Sequence, residues 1–298
     1  MPVTLATIRA AARRIAGGVV FTPCLESIPL SELTGAQVFC KLDNEQRTGS
    51  FKERGARNAL LQLTPTQRRR GVIAASAGNH ALGLAYHGWL LKIPVTVVMP
   101  LTAPLIKVTT CRRLGAKIVL HGENFAGAKE EADARAERDN LAYIHGFDDD
   151  AIIAGQGTMA LEILKQVPKV DAIVAPIGGV GLIAGLAIAA KKIRSGIKII
   201  GVESSATGSY VAALKKGAPV SIPPRATLAD GLAVSCVGPN AFAHARDLVD
   251  EVVTVSENGS LSLSSAMSNS KKRSSRALPP RRWPRCWPAN YLTSKTVA

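Results

Sequence analysis

The sequence predicts an α/β fold built on twisted parallel sheets flanked by helices. Three observations carry that reading. From Arg68 onwards, short apolar runs alternate with segments of helical periodicity, the order that generates βαβ units. Two turns of small residues, Ala75–Ala81 and Ala175–Leu182, each stand between an apolar run and a helical segment, at the strand ends where parallel sheets hold ligands. Composition agrees: 47% of the residues are hydrophobic and 20% charged, and no apolar stretch approaches the roughly 18 residues that mark a membrane span.

The 298 residues suffice for one large or two moderate domains. The first twenty carry Arg9, Arg13 and Arg14 and no acid. They fit either an Arg-rich, acid-poor organellar leader or an amphipathic helix with Leu5, Ile8, Ala12 and Ile15 on one face. Val38–Leu42, which contains Lys41, reads as a strand. Ser50-Phe51-Lys52-Glu53-Arg54-Gly55-Ala56 follows. Ser50 and Glu53 have the spacing of a capping box, so a helix is expected to start here and run towards Leu63. Lys52 then lies in the first helical turn, where the dipole disfavours an ammonium and the neutral amine needed for Schiff-base chemistry is easier to form. Alone, this pattern is better explained by a surface lysine near a helix start.

Gly71–Ala74 reads as a strand, Ala75–Ala81 as a small polar turn and Leu82–Leu91 as a helix. The alternation continues with strands at Val95–Met99, Lys117–Leu120 and Tyr143–His145. The helices between and after them are Pro104–Leu114, Phe125–Asn140 and Ala151–Val167. A strand at Ala172–Ala175, a helix at Leu182–Ile193 and a strand at Lys198–Glu203 complete it. The glycine turn Gly178-Gly179-Val180-Gly181 lacks the Lys-Ser/Thr pair of a nucleotide-phosphate loop and the spacing of a dinucleotide fingerprint. It still places backbone N–H groups at a helix start, which suits an anion. Arg68-Arg69-Arg70 and Glu130-Glu131 read as solvated surface. Cys24, Cys40, Cys111, Cys236 and Cys286 are odd in number and unpaired in spacing, which suggests a reducing, cytoplasmic setting.

Taken together, Gln46–Ala56, Ser76-Ala77-Gly78-Asn79-His80 and Gly178–Leu182 resemble three motifs of the threonine dehydratase (threonine ammonia-lyase) group. That group has the two-domain fold-type II, tryptophan synthase β-like architecture of pyridoxal-phosphate enzymes. The resemblance covers roughly residues 5–257. It implies a discontinuous large cofactor-binding domain (1–69 and 148–257) around a small α/β domain (70–147). It also implies pyridoxal 5′-phosphate carried on Lys52, with Phe51 and Asn79 beside it. The N–H groups of Gly178, Gly179, Val180, Gly181 and Leu182 would hold the phosphate. The substrate carboxylate would lie in the turn Ser76, Ala77, Gly78, Asn79 and His80, with His80 structural rather than a base. The implied partner is a small amino acid, L-threonine and also L-serine, converted to a 2-oxo acid and ammonia. No nucleic-acid or membrane partner is expected, and the intact family form would be a homo-oligomer.

Some residues depart from the pattern. Leu82 stands where glutamine is common and Val180 where glycine is common; Val180 still offers a backbone N–H and is tolerable provided its backbone is not left-handed. Glu203 matches a metal-ligand glutamate of serine-racemase relatives, but Ser209 replaces the aspartate six residues on, so no metal is assigned. Racemase relatives place a serine where Ala77 stands, and a methyl group cannot carry a proton, so elimination is favoured over racemisation.

The net charge of +15 is unevenly spread: residues 258–298 hold eight of the 37 basic residues and none of the 22 acidic ones. Serines crowd this segment, followed by Pro279–Pro288 with two of the three tryptophans. A disordered basic tail, an RNA- or membrane-binding extension and out-of-frame translation near residue 258 all fit, and the last is favoured. A family glutamate and a Ser-Gly-Gly-Asn turn expected here are absent from the sequence, so a catalytically impaired product is the third functional reading. The segment is expected to stay unpacked from the enzyme domain.

Overall fold

Helix α1 (Leu5–Ile15) begins where Thr4 and Thr7 exchange side-chain and backbone hydrogen bonds, satisfying N–H groups that a helix start leaves free. Its buried stripe is Ile8, Ala11 and Ile15, so Ala11 replaces the expected Ala12 on the core face. The structure, a computed structural model, describes residues 2–223, 225, 227–259 and the backbone of 296–297.

Strand β1 (Cys24–Glu26), helix α2 (Ile28–Thr34) and strand β2 (Gln37–Lys41) follow, β1 and β2 pairing antiparallel. Next come α3 (Lys52–Leu61) and α4 (Pro65–Arg70). Then β3 (Val72–Ala75), α5 (Asn79–Leu91), β4 (Val95–Met99), α6 (Leu105–Arg113), β5 (Lys117–Leu120), α7 (Phe125–Arg138) and β6 (Ala142–Tyr143) alternate. These four strands form one parallel sheet in the order β5-β4-β3-β6. Its core also takes in Ala56, Ala59 and Leu60 of α3. The chain returns through α8 (Asp150–Gln166), β7 (Ala172–Pro176), α9 (Gly181–Ile193), β8 (Lys198–Ser204), α10 (Ser209–Lys216), α11 (Pro239–Ala245), β9 (Glu251–Val255) and β10 (Thr296–Val297). The second sheet has the order β1-β2-β10-β7-β8-β9, parallel except at β1–β2. Among the described residues no helix is long and apolar enough to cross a membrane.

The α/β reading with parallel sheets holds, and two strands, β4 and β5, have the expected ends. Two expectations do not. Thr296 and Val297 pair in parallel with both β2 and β7, so the segment after 257 is not wholly outside the sheet. The gap between those strands leaves backbone N–H and C=O groups unpaired, and an extended β-branched pair satisfies them. Residues 260–295 and 298, on which the rest of that expectation falls, lie outside the described residues. Nor does Ser50 cap α3. Phe51 occupies the cap position with helical φ −56° and ψ −16°, and Ser50 Oγ is buried with no hydrogen-bond partner among the described residues. The reason is competition: the Glu53 carboxylate accepts the Thr48 N–H and lies 3.3 Å from His87 Nε2, so it does not reach back to Ser50.

What fixes α3 is a buried charge network. Arg54, with no exposed surface, donates from Nε to Asp43 Oδ2 at 2.7 Å and from Nη2 to Asp43 Oδ1 at 2.9 Å. Its Nη1 meets Glu162 Oε1 at 2.6 Å. Lys41 Nζ lies 2.6 Å from the other Glu162 oxygen, and Thr22 Oγ1 donates to Asp43 at 2.6 Å. Two acids and two bases thus join the segment after β2 to α3 and α8. The two helices also touch backbone to backbone: a Cβ on Gly155 would lie 2.5 Å from Gly55 Cα, a contact only glycine allows.

Asp43→Ala should destabilise the chain by about 3 kcal/mol in urea denaturation, because it strips half the partners from a buried guanidinium. Burial raises the Asp43 pKa, but Arg54 outweighs it and holds the carboxyl below its ordinary 3.8. The folded pKa is therefore the lower one, and the stabilisation is present above 3.8 and lost as pH falls through the folded value. The gap between wild type and variant should narrow as pH drops below that point.

Candidate active site

Lys52 opens α3 with its side chain turned away from Arg54, since residues two apart on a helix are separated by about 200°. Its Nζ donates to Gly146 O at 2.6 Å and lies 5.4 Å from the centre of the Phe51 ring. Burial pushes the ammonium from 10.5 down to about 8, so near neutral pH roughly a tenth is neutral amine, against well under a thousandth for an ordinary lysine. Lys41, the nearest other lysine in sequence, is committed to Glu162.

Gly146 belongs to a turn on which the three motifs converge. The turn is held by His145 Nδ1, which accepts the N–H groups of Phe147 and Asp148 at 3.3 and 2.9 Å. A Cβ on Gly146 would lie 3.5 Å from the His80 ring, and one on Gly179 would lie 2.2 Å from Phe147 Cγ. Lys52, the Ser76–His80 turn and the Gly178–Leu182 turn therefore border the same few residues.

The Ser76–His80 stretch runs from the end of β3 into α5, whose first residues are Asn79 and His80. Gly78 N donates to Ser76 Oγ at 3.3 Å. Among the described residues no backbone acceptor meets the N–H groups of Ala77, Asn79 or His80. Asn79 Oδ1 receives Lys107 Nζ at 3.2 Å. His80 Nε2 lies 3.0 Å from Ile144 O; a carbonyl only accepts, so Nε2 carries the proton. Burial, reinforced by the Lys52 charge, drives the His80 pKa down to about 3, and the ring is neutral.

The second turn joins β7 to α9. Among the described residues no backbone acceptor meets the N–H groups of Gly178, Gly179, Val180, Gly181 or Leu182. Five free donors at the start of a 13-residue helix make an anion site that needs no cationic side chain. Val180 departs from expectation: its φ is 76° and ψ −21°, the left-handed region, where a β-branched residue is strained. Its side chain, 2% exposed, packs in the core, and that burial offsets the strain. Glu203 accepts Tyr210 N and Val211 N at 2.7 and 3.1 Å, so it caps α10.

These features fit pyridoxal phosphate: a half-buried lysine of depressed pKa, a helix start with unclaimed N–H groups for a phosphate, and a second such start for a carboxylate. Three further residues border the site without having been singled out in the sequence: Gly146, Phe147 and Lys107. The first two follow the strand β6, whose carboxyl end was a readable signal. Nothing in the sequence marked Lys107.

A family profile described as pyridoxal-phosphate dependent enzyme matches residues 15–273. The L-threonine ammonia-lyase of Thermotoga maritima is 43% identical over 255 residues, 86% of this chain, and the chain spans 64% of that relative's length. Among solved structures, maize serine racemase superposes with a TM-score of 0.86 at 30% identity, covering 100% of this chain and 92% of that one. The processed threonine deaminase isoform 2 of Solanum lycopersicum gives 0.85 at 36% identity, covering 90% of this chain and 80% of that one.

Two outcomes follow from the geometry. Acylation of Lys52 by a small amine-reactive anhydride, read by peptide mass spectrometry, should rise through half its maximum near pH 8, whereas the ordinary lysine value is 10.5. Val180→Gly and Val180→Ala both lose core packing, but only glycine relieves the positive φ. The glycine variant should therefore be the more stable by about 1 kcal/mol in thermal unfolding, the reverse of the usual order.

Proposed function

We propose, from the premise that the chain belongs to the pyridoxal-phosphate dependent enzyme family, that it catalyses the α,β-elimination of L-threonine to 2-oxobutanoate and ammonia. L-Serine would give pyruvate in the same way. The carrying observation is the convergence of the Lys52 amine with two unclaimed helix starts around one turn, Gly146–Phe147.

The residues divide the work. Lys52 Nζ would hold the cofactor covalently, and the five N–H groups from Gly178 to Leu182 would hold its phosphate. Phe51 would cover one side of the ring, and Asn79 would donate to the ring's 3′-oxygen. When bound, pyridoxal phosphate supplies an electron sink that makes the α-proton of an amino acid removable. The N–H groups of the Ser76–His80 turn would bind the substrate carboxylate, fixing the α-carbon near Lys52. Lys52 Nζ would also take the α-proton of the bound amino acid, a role that its pKa of about 8 suits near neutral pH. His80, neutral and tied to Ile144 O, orients the turn and moves no proton. Loss of the β-hydroxyl and hydrolysis of the released enamine complete the reaction.

Serine racemases act on a related substrate, and the likeness to the maize enzyme makes racemisation the competing chemistry. Racemisation needs a second proton carrier on the opposite face of the cofactor, and the methyl group of Ala77 is not one. Full-length protein supplied with pyridoxal phosphate should release 2-oxobutanoate from L-threonine, and Lys52→Ala should abolish that release. From L-serine it should yield pyruvate at least about tenfold faster than D-serine, a difference of 1.4 kcal/mol in barrier. Turnover that survives Lys52→Ala would contradict the assignment of the base, and D-serine at the rate of pyruvate would contradict the reaction type.

A further inference from the structure

Lys107 lies in the first turn of α6, where the helix dipole disfavours a cation and no acidic residue accompanies it. Its neighbours Leu105 and Ile106 point outwards, 74% and 69% exposed. Lys107 is half-buried, and its Nζ reaches Asn79 Oδ1 at 3.2 Å. Among the described residues no carboxylate forms an ion pair with it. A lysine placed against its helix dipole and spent on a neutral amide calls for an explanation beyond solubility.

The chemistry of the two groups supplies one. The two ends of a carboxamide are nearly the same size and differ in hydrogen bonding: Oδ1 accepts and Nδ2 donates. An ammonium only donates, so it tolerates Oδ1 and repels Nδ2. With Lys107 on one side, Asn79 has a single orientation, Oδ1 towards α6 and Nδ2 on the far side. Among the described residues no acceptor meets Nδ2.

We propose that Lys107 is a positioning residue that locks the Asn79 carboxamide with its N–H donors facing the cofactor. This rests on the proposed reading of the site, in which Asn79 meets the ring's 3′-oxygen, and it deepens that reading by naming what holds Asn79 in its donor state. The 3′-oxygen is best held as an anion by a donor. Without the ammonium the amide can turn Oδ1 towards it, and two acceptors then face each other unless the ring oxygen takes up a proton. Lys107 thereby acts on both the affinity for pyridoxal phosphate and the protonation state of the bound ring.

The test uses the full chain titrated with pyridoxal phosphate, reading the dissociation constant and the pH dependence of the visible absorption band. Lys107→Met should weaken binding about tenfold, the loss of one charge-assisted orienting bond, and should shift the pH at which the band changes. Lys107→Gln, which can face Asn79 either way round, should move both readouts in the same direction and serves if the methionine variant misfolds. Lys107→Arg should restore most of the wild-type behaviour. In an Asn79→Ala background, Lys107→Met should add less than about twofold, because the residue acts through Asn79. Wild-type affinity and band in Lys107→Met would overturn the proposal. So would effects that multiply in the double variant, which would mean that Lys107 touches the ligand itself. These readouts need binding only, so a chain that binds the cofactor but releases no 2-oxo acid from threonine would refute the lyase reading and leave the Lys107 result standing.

Discussion

A guanidinium with no access to water sets the frame of this molecule. Arg54 is tolerable in the interior only because Asp43 and Glu162 meet it at 2.6–2.9 Å; unpaired, such a charge would cost several kcal/mol. Because Asp43 precedes α3 and Glu162 belongs to α8, satisfying Arg54 dictates how α3 lies against α8. The Gly55–Gly155 contact then allows the two backbones to close. Lys52, on the opposite side of α3, is aimed at Gly146 as a consequence. The reactive amine is positioned by a residue that never touches the site.

The same economy governs charge at the site. Both candidate anion positions are helix starts with unclaimed N–H groups, after Gly78 and after Val180. Neither requires a cationic side chain, so the field around Lys52 contains little that would stabilise its ammonium. Burial can therefore lower its pKa without opposition from a neighbouring carboxylate: desolvation is the one cause of its shift. A phosphate held by backbone dipoles, a lysine kept partly neutral and a histidine kept wholly neutral are consequences of one low-polarity enclosure.

Much of this was legible in the sequence because it depends on local chemistry. Val95–Met99 and Lys117–Leu120 are short β-branched runs between helical segments, and the structure gives them the same ends. The three motif stretches were legible because each is a contiguous set of unusual residues. What escaped was decided by distant partners. The Ser50–Glu53 pattern is a sound local cap, but Thr48 and His87 compete for the carboxylate. The left-handed backbone of Val180 is invisible in a sequence, since only the burial of its side chain makes it tolerable. Thr296 and Val297 could not be placed, because their reason for pairing is a gap between β2 and β7, strands formed by far earlier parts of the chain. Lys107 gave no signal either; it matters only where Asn79 is.

The central claim is that Lys52 is the amine presented to pyridoxal phosphate, and chemical trapping tests it most directly. The full chain loaded with the cofactor is treated with borohydride to make the covalent link permanent, digested and mapped by mass spectrometry. The account predicts one major phosphopyridoxyl adduct, on Lys52. An adduct chiefly on Lys41 or Lys107, with Lys52 unmodified, would contradict it.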